Sequence, residues 1–303
     1  LALIFVIGEL LVDIFPDYKR IGGAPFNFAY HLKNFGMPVR FLSRIGQDAY
    51  GEEILSMLER NQFNASDIQK DPHHPSGQVH VSFDGAGNPE FDIMSDAAFD
   101  HIEFEPYHSM TTPLDMVYFG TLIQRERDGF SRVQAFLDSL DSNVPCFYDV
   151  NLRQGTRQPK VINHSLKKAD IVKLNEEELE YISREIIQAG EETEAAAFSM
   201  MARYNIAVLS LTRGHEGSEL FLSSHDHFSV SATNVEPIVD TVGAGDAYAA
   251  VLALGYLRGW PPEKILSNAT MFSASICRIE GAVPENIAFY QHMRNMIEDG
   301  SDG

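Results

Sequence analysis

Seven residues, Asp240-Thr241-Val242-Gly243-Ala244-Gly245-Asp246, carry the strongest chemical signal in the chain, and the apolar stretch Ala247–Leu257 follows them directly. Gly243 and Gly245 let the backbone turn sharply and point N–H groups outward. At a helix N-terminus such donors and the macrodipole attract an anion. A carboxylate in the first turn, Asp246, can then take a proton from an incoming hydroxyl while the N–H groups hold a phosphoryl group. The same residues also read as a plain glycine turn with Asp246 as a helix-start residue.

Three further segments offer chemistry. Gly22-Gly23-Ala24-Pro25-Phe26-Asn27 opens another helix, with Pro25 suited to its first position. Its glycines let a ligand approach the backbone, and Asn27 supplies a donor and acceptors that suit sugar hydroxyls; a solvated Asn at a helix start is the alternative. Asn175-Glu176-Glu177-Glu178 follows the apolar run Ile171–Leu174. Ligands of open parallel sheets bind at the carboxyl ends of strands, so Asn175 is placed for a nucleotide and Glu178 for holding water on Mg²⁺. A capped helix with a solvated acidic face fits as well. Thr212-Arg213-Gly214-His215-Glu216-Gly217 follows the run Ile206–Leu211 and is either a phosphate-approaching loop or a β-turn.

Several chemistries are excluded. No Gly-Lys dipeptide occurs, so there is no P-loop, and Gly8-Glu9-Leu10 after the first apolar run is no dinucleotide fingerprint. His73-His74 and His225/His227 have no Cys or acidic set near them at metal spacing in the sequence. Two cysteines, Cys146 and Cys277, make neither a disulfide framework nor a cysteine-rich zinc site.

These residues need a scaffold, and the rest of the chain describes one. Continuous apolar runs at Leu3–Ile7, Val39–Leu42, Met116–Phe119, Val144–Tyr148, Ile171–Leu174 and Ile206–Leu211 read as strands buried on both faces. Helical patterns lie between them at Pro25–Phe35, Gly51–Arg60, Gly129–Leu140 and Thr193–Tyr204, and two consecutive helices follow at Asp246–Arg258 and Pro262–Arg278. Strand alternating with helix predicts a parallel α/β sheet with helices on both faces. Gln78–Phe83 and Glu90–Met94 alternate and are joined by Asp84-Gly85-Ala86-Gly87-Asn88-Pro89, a hairpin whose one covered face suits a site cover. With 303 residues, 44% hydrophobic and 22% charged, one large α/β domain spanning 1–303 is expected. Asp plus Glu number 43 against 23 Lys plus Arg, and the net charge of −20 repels nucleic acid and anionic membrane. The opening Leu1–Phe15 lacks a basic segment and is interrupted by Glu9 and Asp13, which predicts a cytoplasmic protein.

The four motifs, in this order, resemble the PfkB, or ribokinase-like, carbohydrate kinases. Gly22–Ala29 and Asp240–Asp246 carry the resemblance, with Arg44-Ile45-Gly46-Gln47-Asp48-Ala49-Tyr50-Gly51 between them, and it covers essentially the whole chain. The Gly-Gly-Ala-Pro-Phe-Asn wording and Gly8–Asp13 look like fructokinases, while Tyr148–Arg153 is shared with 2-keto-3-deoxygluconate kinases. The resemblance implies a three-layer αβα domain with a mostly parallel sheet and a small β lid built from about 12–21, as one strand, and 78–94. It implies ATP-dependent phosphorylation of a sugar, most simply fructose to fructose 6-phosphate. A 2-keto-3-deoxygluconate or ribose-type kinase is the next reading, and a kinase-like binding protein without turnover a third. By the same resemblance Asp246 is the general base, and Gly243, Ala244 and Gly245 form the anion hole. Asp13, Gly22, Gly23 and Asn27 hold the sugar, with Arg153 nearby. Asn175, Thr212, Gly214, Gly217 and Asn268 hold ATP, and Glu178 serves Mg²⁺. Asp240 and Val242 form a K⁺ site whose second half lies around Ile279–Gly281, where the chain departs most from the pattern. Lid strands pairing between subunits would make a dimer. A carboxylate substrate needs Arg, and the expected lid strand Phe91-Asp92-Ile93, followed by Asp96, has none; acidic lid residues facing Arg153 point to a neutral sugar.

Overall fold

The computed structural model describes residues 3–299 apart from 84–88, 108–111, 154, 191 and 285, with backbone alone at 83, 89, 90, 287, 298 and 299. The chain runs β1 (Ile4–Ile7), β2 (Leu11–Ile14), β3 (Lys19–Gly22), α1 (Ala24–Asn34), β4 (Val39–Gly46), α2 (Ala49–Arg60), β5 (Ile68–Asp71), β6 (Gly77–Phe83) and β7 (Pro89–Ile93). It continues through β8 (Met116–Gly120), α3 (Arg127–Asp138), β9 (Cys146–Asp149), α4 (Pro159–Leu166), β10 (Ile171–Asn175), α5 (Glu176–Ile182), α6 (Thr193–Tyr204) and β11 (Val208–Thr212). The last third holds β12 (Ser218–Leu222), β13 (His227–Val230), α7 (Ala244–Leu257), α8 (Pro262–Ile276) and α9 (Ile287–Asp299).

The main sheet has nine strands in the order β13-β12-β11-β10-β9-β8-β1-β4-β5. Every pairing from β11 to β5 is parallel, and β12 and β13 close one edge antiparallel. Along β1, Ile4 and Val6 enter one core while Phe5 and Ile7 enter the other. This is the physical content of a continuous apolar strand: alternate side chains serve opposite faces, and both faces are covered. Helices α1, α2, α7, α8 and α9 pack on the first face and α3 to α6 on the second, giving three layers. Helix α7 is apolar almost all round, from Ala247 to Gly255, because it lies between α1, α8 and the sheet.

A second sheet, β3-β2-β6-β7, stands apart from the first. Its alternation places Val79 and Val81 with Leu11 against Phe99, while His80 and Ser82 face solvent. The hairpin strands are present as expected; the connecting turn, 84–88, lies outside the described residues. The expected single strand from Val12 to Ile21 is instead two antiparallel strands, because Pro16-Asp17 turns the chain and Phe15 N–H bonds to Tyr18 C=O at 2.9 Å. The antiparallel edge β12–β13, the edge strand β5 and the helices α4 and α9 are additions to the pattern read from sequence, and α5 is the capped helix that Asn175–Glu178 allowed. Among the described residues no helix is long and apolar enough to cross a membrane.

Candidate active site

The carboxyl ends of β1, β8, β9 and β10 converge with the N-termini of α1 and α7, and this is where the chemical residues gather. Helix α7 starts at Gly243, whose φ is +79°. A Cβ there would meet the Cβ of Ala282 at 2.3 Å, so both the left-handed turn and the close approach of 282 require glycine. Ala244 N–H bonds to Thr241 C=O at 3.3 Å and Ala247 N–H to Gly243 C=O at 2.9 Å. Helix geometry leaves the N–H groups of Gly245 and Asp246 pointing out of the terminus, beside those of the turn. Against them lies Lys173, whose Nζ would be 3.1 Å from a Cβ on Gly245. A charged ammonium and a helix N-terminus at one spot fit a phosphoryl group.

Asp246 is buried in the first turn of α7. Its Oδ2 accepts from Asn27 Nδ2 at 2.8 Å, across the two helices that the glycine motifs open. Burial pushes its carboxyl above the ordinary value and Asp149 adds to the rise, while Asn27, Lys173 and Arg153 oppose it. A base that is harder to ionise than a surface Asp is a better proton acceptor once ionised. Asn27 Oδ1 is buried with no hydrogen-bond partner, as is Glu9 Oε2. Two buried acceptors left over beside Asp246 are what a polyol's hydroxyls would satisfy.

Glu9, after β1, is a member of the site that the motif reading passed over. Burial pushes it up to about 7, opposed by its own backbone hydrogen bond and by Arg153. Asp13 on β2 is raised to about 6, again by burial, with Arg153 and Arg20 opposing. Gly22 pairs with Leu11 in the β2–β3 register and leaves room for the carboxylate of Asp13, whose Oδ2 is 3.0 Å from where a Cβ would stand. Gly23, with φ +121°, packs on the backbone carbonyl of Glu9, a contact that by itself requires glycine. Asp149 and Lys173, also missed, are register partners on β9 and β10 and form a buried ion pair at 3.2 Å; Tyr118 donates to Asp149 at 3.1 Å. Each stands in an apolar strand whose pattern reveals burial but not a polar function. A small cleft runs between Glu9, Tyr118, Asp149, Asn151 and Arg153.

The nucleotide set is partly assembled. Asn175 and Thr212 are register partners at the carboxyl ends of β10 and β11, with Gly214 two residues on. Asn175 caps α5 by accepting from Glu178 N–H at 2.9 Å. Glu178 is buried rather than on a solvated face. Its two oxygens accept from Leu152 N–H at 2.7 Å and Asn175 N–H at 2.9 Å, and each keeps a lone pair that can hold a water on Mg²⁺. Burial raises its carboxyl, with Lys173 opposing. Gly217 is required by the chain itself, since a Cβ would fall 2.0 Å from Val230 C=O. Asn268 stands apart from this set: its Nδ2 donates to Ile297 C=O on α9 at 3.4 Å. Two positions further along α8, Thr270 turns toward Ser218 at 2.7 Å, so the two side chains lie on different faces of the helix.

The residues expected around K⁺ hold a cationic side chain. The fold brings Asp240 to Gly281, whose N–H it accepts at 3.0 Å, and it also accepts from Val242 N–H at 3.0 Å. Arg20, from β3, pairs with the same carboxylate at 3.2 Å and with Glu280. A guanidinium therefore already meets the charge of Asp240, at the place where the resemblance puts K⁺. The acidic-lid argument changes too. Asp92 is exposed and Asp96 is held by His101, so neither faces Arg153. The carboxylates that interact with Arg153 are Glu9, Asp13 and Asp246, from the site itself.

The pfkB family carbohydrate kinase model matches residues 9–287. The chain belongs to the pfkB family of carbohydrate kinases. It is 29% identical over 275 residues to an uncharacterized sugar kinase from Pyrococcus horikoshii, covering 85% of this chain and 83% of that one. The structure of that kinase in complex with ATP superposes with a TM-score of 0.78 at 27% identity, covering 92% of this chain and 93% of that one. A fructokinase from Salmonella typhimurium is 27% identical over 291 residues, covering 91% of this chain and 92% of that one. The glycine-opened helices α1 and α7, joined by the Asn27–Asp246 bond, therefore sit in a pfkB carbohydrate kinase.

Proposed function

We propose that this pfkB kinase transfers a phosphoryl group from ATP to a hydroxyl of fructose, giving fructose 6-phosphate. The observation that carries the choice of sugar is the charge around Arg153. Glu9, Asp13 and Asp246 share its field, and Lys173 is already paired with Asp149. A site this acidic repels the carboxylate of a sugar acid and offers acceptors to a neutral polyol. The relatives named fructokinases support the same reading.

In this proposal Glu9, Asp13 and Asn27 accept and donate to the sugar's hydroxyls and hold one of them against Asp246. Asp246 Oδ takes the proton of that hydroxyl, and Asn27 keeps the carboxylate aimed. The N–H groups at the start of α7 and Lys173 stabilise negative charge at the point of transfer. Asn175, Thr212 and Gly214 lie where the nucleotide would rest, and Glu178 holds a Mg²⁺-bound water. Mg·ATP supplies the electrophilic phosphoryl group. The sheet β3-β2-β6-β7 acts as the lid, excluding water that would otherwise compete as acceptor. Arg20 fills the role of a monovalent cation, so K⁺ is dispensable. The enzyme works in the cytoplasm, where its two free cysteines suit a reducing setting.

The test is the specificity constant for fructose, ribose and 2-keto-3-deoxygluconate at saturating Mg·ATP. Fructose is expected to have the highest kcat/KM. A higher value for the keto-acid would overturn the sugar assignment and leave Asp246 in its role. Absence of turnover on every sugar would favour a binding protein.

A further inference from the structure

We propose that His74, Asp96 and His101 form a binding site for a transition-metal dication of the zinc type, at the base of the second sheet and separate from the kinase site. Asp96 and His101 are near neighbours in sequence, and the fold brings His74 to them. His74 precedes β6 by three residues, Asp96 follows β7 by three residues, and His101 ends a one-turn helix, Ala98–His101. Among the described residues, this is the set of His and carboxylate groups whose ligand atoms all lie within 4.8 Å of one another. Asp96 Oδ1 is 2.8 Å from His101 Nε2 and 3.8 Å from His74 Nε2. Ligand atoms about 2.0–2.1 Å from a tetrahedral Zn²⁺ stand roughly 3.3–3.4 Å apart, and the two observed separations bracket that value.

The orientation of His74 is also that of a ligand. Its Nδ1 lies 3.0 Å from Asp71 Oδ2, and Asp71 is buried, paired with Arg44 at 2.7 Å and accepting the N–H groups of His73 and His74. A carboxylate in those contacts only accepts, so the ring proton is on Nδ1. The lone pair is then on Nε2, the atom that faces Asp96. A carboxylate behind a metal-binding imidazole is the usual device for fixing tautomer and ring direction. The His74 and His101 rings are stacked at 3.6 Å with 13° between planes. Two imidazoles on one tetrahedral ion cannot stay parallel, so binding must tilt the rings apart. Asp96 is 74% exposed and both histidines reach solvent, which gives the ion a path in and leaves a position for water.

Two imidazoles and one carboxylate suit Zn²⁺ and its transition-metal neighbours rather than Mg²⁺ or Ca²⁺, which take oxygen ligands. An ion there would tie together the chain entering β6 and the chain leaving β7.

The experiment is Zn²⁺ binding by equilibrium dialysis to the whole protein, with millimolar Mg²⁺ present, alongside Co²⁺ titration followed by its visible absorption. We expect one Zn²⁺ per chain with Kd at or below about 10 μM, weakened at least about 100-fold in both His74→Gln and His101→Gln. Co²⁺ should give the absorption of a four-coordinate nitrogen–oxygen site in the wild type and lose it in His101→Gln, which leaves the Asp71–His74 contact intact. The double variant His225→Gln/His227→Gln should bind as the wild type does. Wild-type binding weaker than about 10 μM, or tight binding that survives His101→Gln, overturns the proposal.

Discussion

Glu9 offers the sharpest test of the site because it links stability to function with opposite signs. An ordinary glutamate titrates near 4.5, and burial holds Glu9 at about 7. The folded protein therefore keeps a proton that the unfolded chain has already released, and stability falls as pH rises from about 4.5 through about 7. At about 1.4 kcal/mol for each tenfold in proton affinity, the full separation is worth roughly 3 kcal/mol. Glu9→Gln has nearly the same volume and no charge to bury, so it escapes this loss. The difference in stability between variant and wild type should grow by about 2–3 kcal/mol between pH 5 and pH 8, in favour of the variant. In thermal unfolding of the sugar-free protein, whose size dilutes the effect, that is a Tm gap widening by roughly 3–5 °C. The same substitution should lower kcat/KM for the sugar about 10–100-fold, since it removes a charged acceptor facing the substrate's hydroxyls. A Tm difference that stays constant from pH 5 to pH 8 would falsify the buried-charge argument. An unchanged sugar KM would remove Glu9 from the binding site.

Other outcomes follow from the same geometry. Asp246→Asn keeps an oxygen for Asn27 and should fold, yet lose about 10²–10⁴ in kcat with sugar and ATP KM nearly intact; steady-state kinetics decide, and near-wild-type turnover would exclude Asp246 as the base. Turnover should change less than about twofold when K⁺ is replaced by a bulky organic cation, because electrostatic demand at Asp240 is met by Arg20; strong K⁺ activation would refute that role. Excess EDTA should abolish turnover. Glu178→Gln turns an amide nitrogen toward a backbone N–H, so it should cost about 1–3 kcal/mol in denaturant unfolding and raise the Mg²⁺ requirement more than the sugar KM.

Much of the fold was legible in the sequence because its signals are local. A run such as Leu3–Ile7 must be buried on both faces, and a glycine turn before Ala247–Leu257 must open a helix. Asp246, Asn27, Asn175 and Thr212 could be picked out because each follows or opens such an element. The resemblance to the pfkB kinases rests on the same local words. Tertiary structure decided what depends on neighbours distant in sequence. Lys173 reads as an interruption of one apolar run and Asp149 as the residue just past another until β9 and β10 are laid side by side in register. Glu9 becomes a carboxyl that holds its proton only when the fold buries it. Arg20 reaches Asp240 across 220 residues, and no spacing rule could have announced that a guanidinium meets its charge. His74, Asp96 and His101 showed no metal spacing along the chain, and the return of β7 past β6 is what brings them together. Periodicity records which face of an element is buried; electrostatics depends on distances in space, and those are set by the packing of elements the local pattern does not connect.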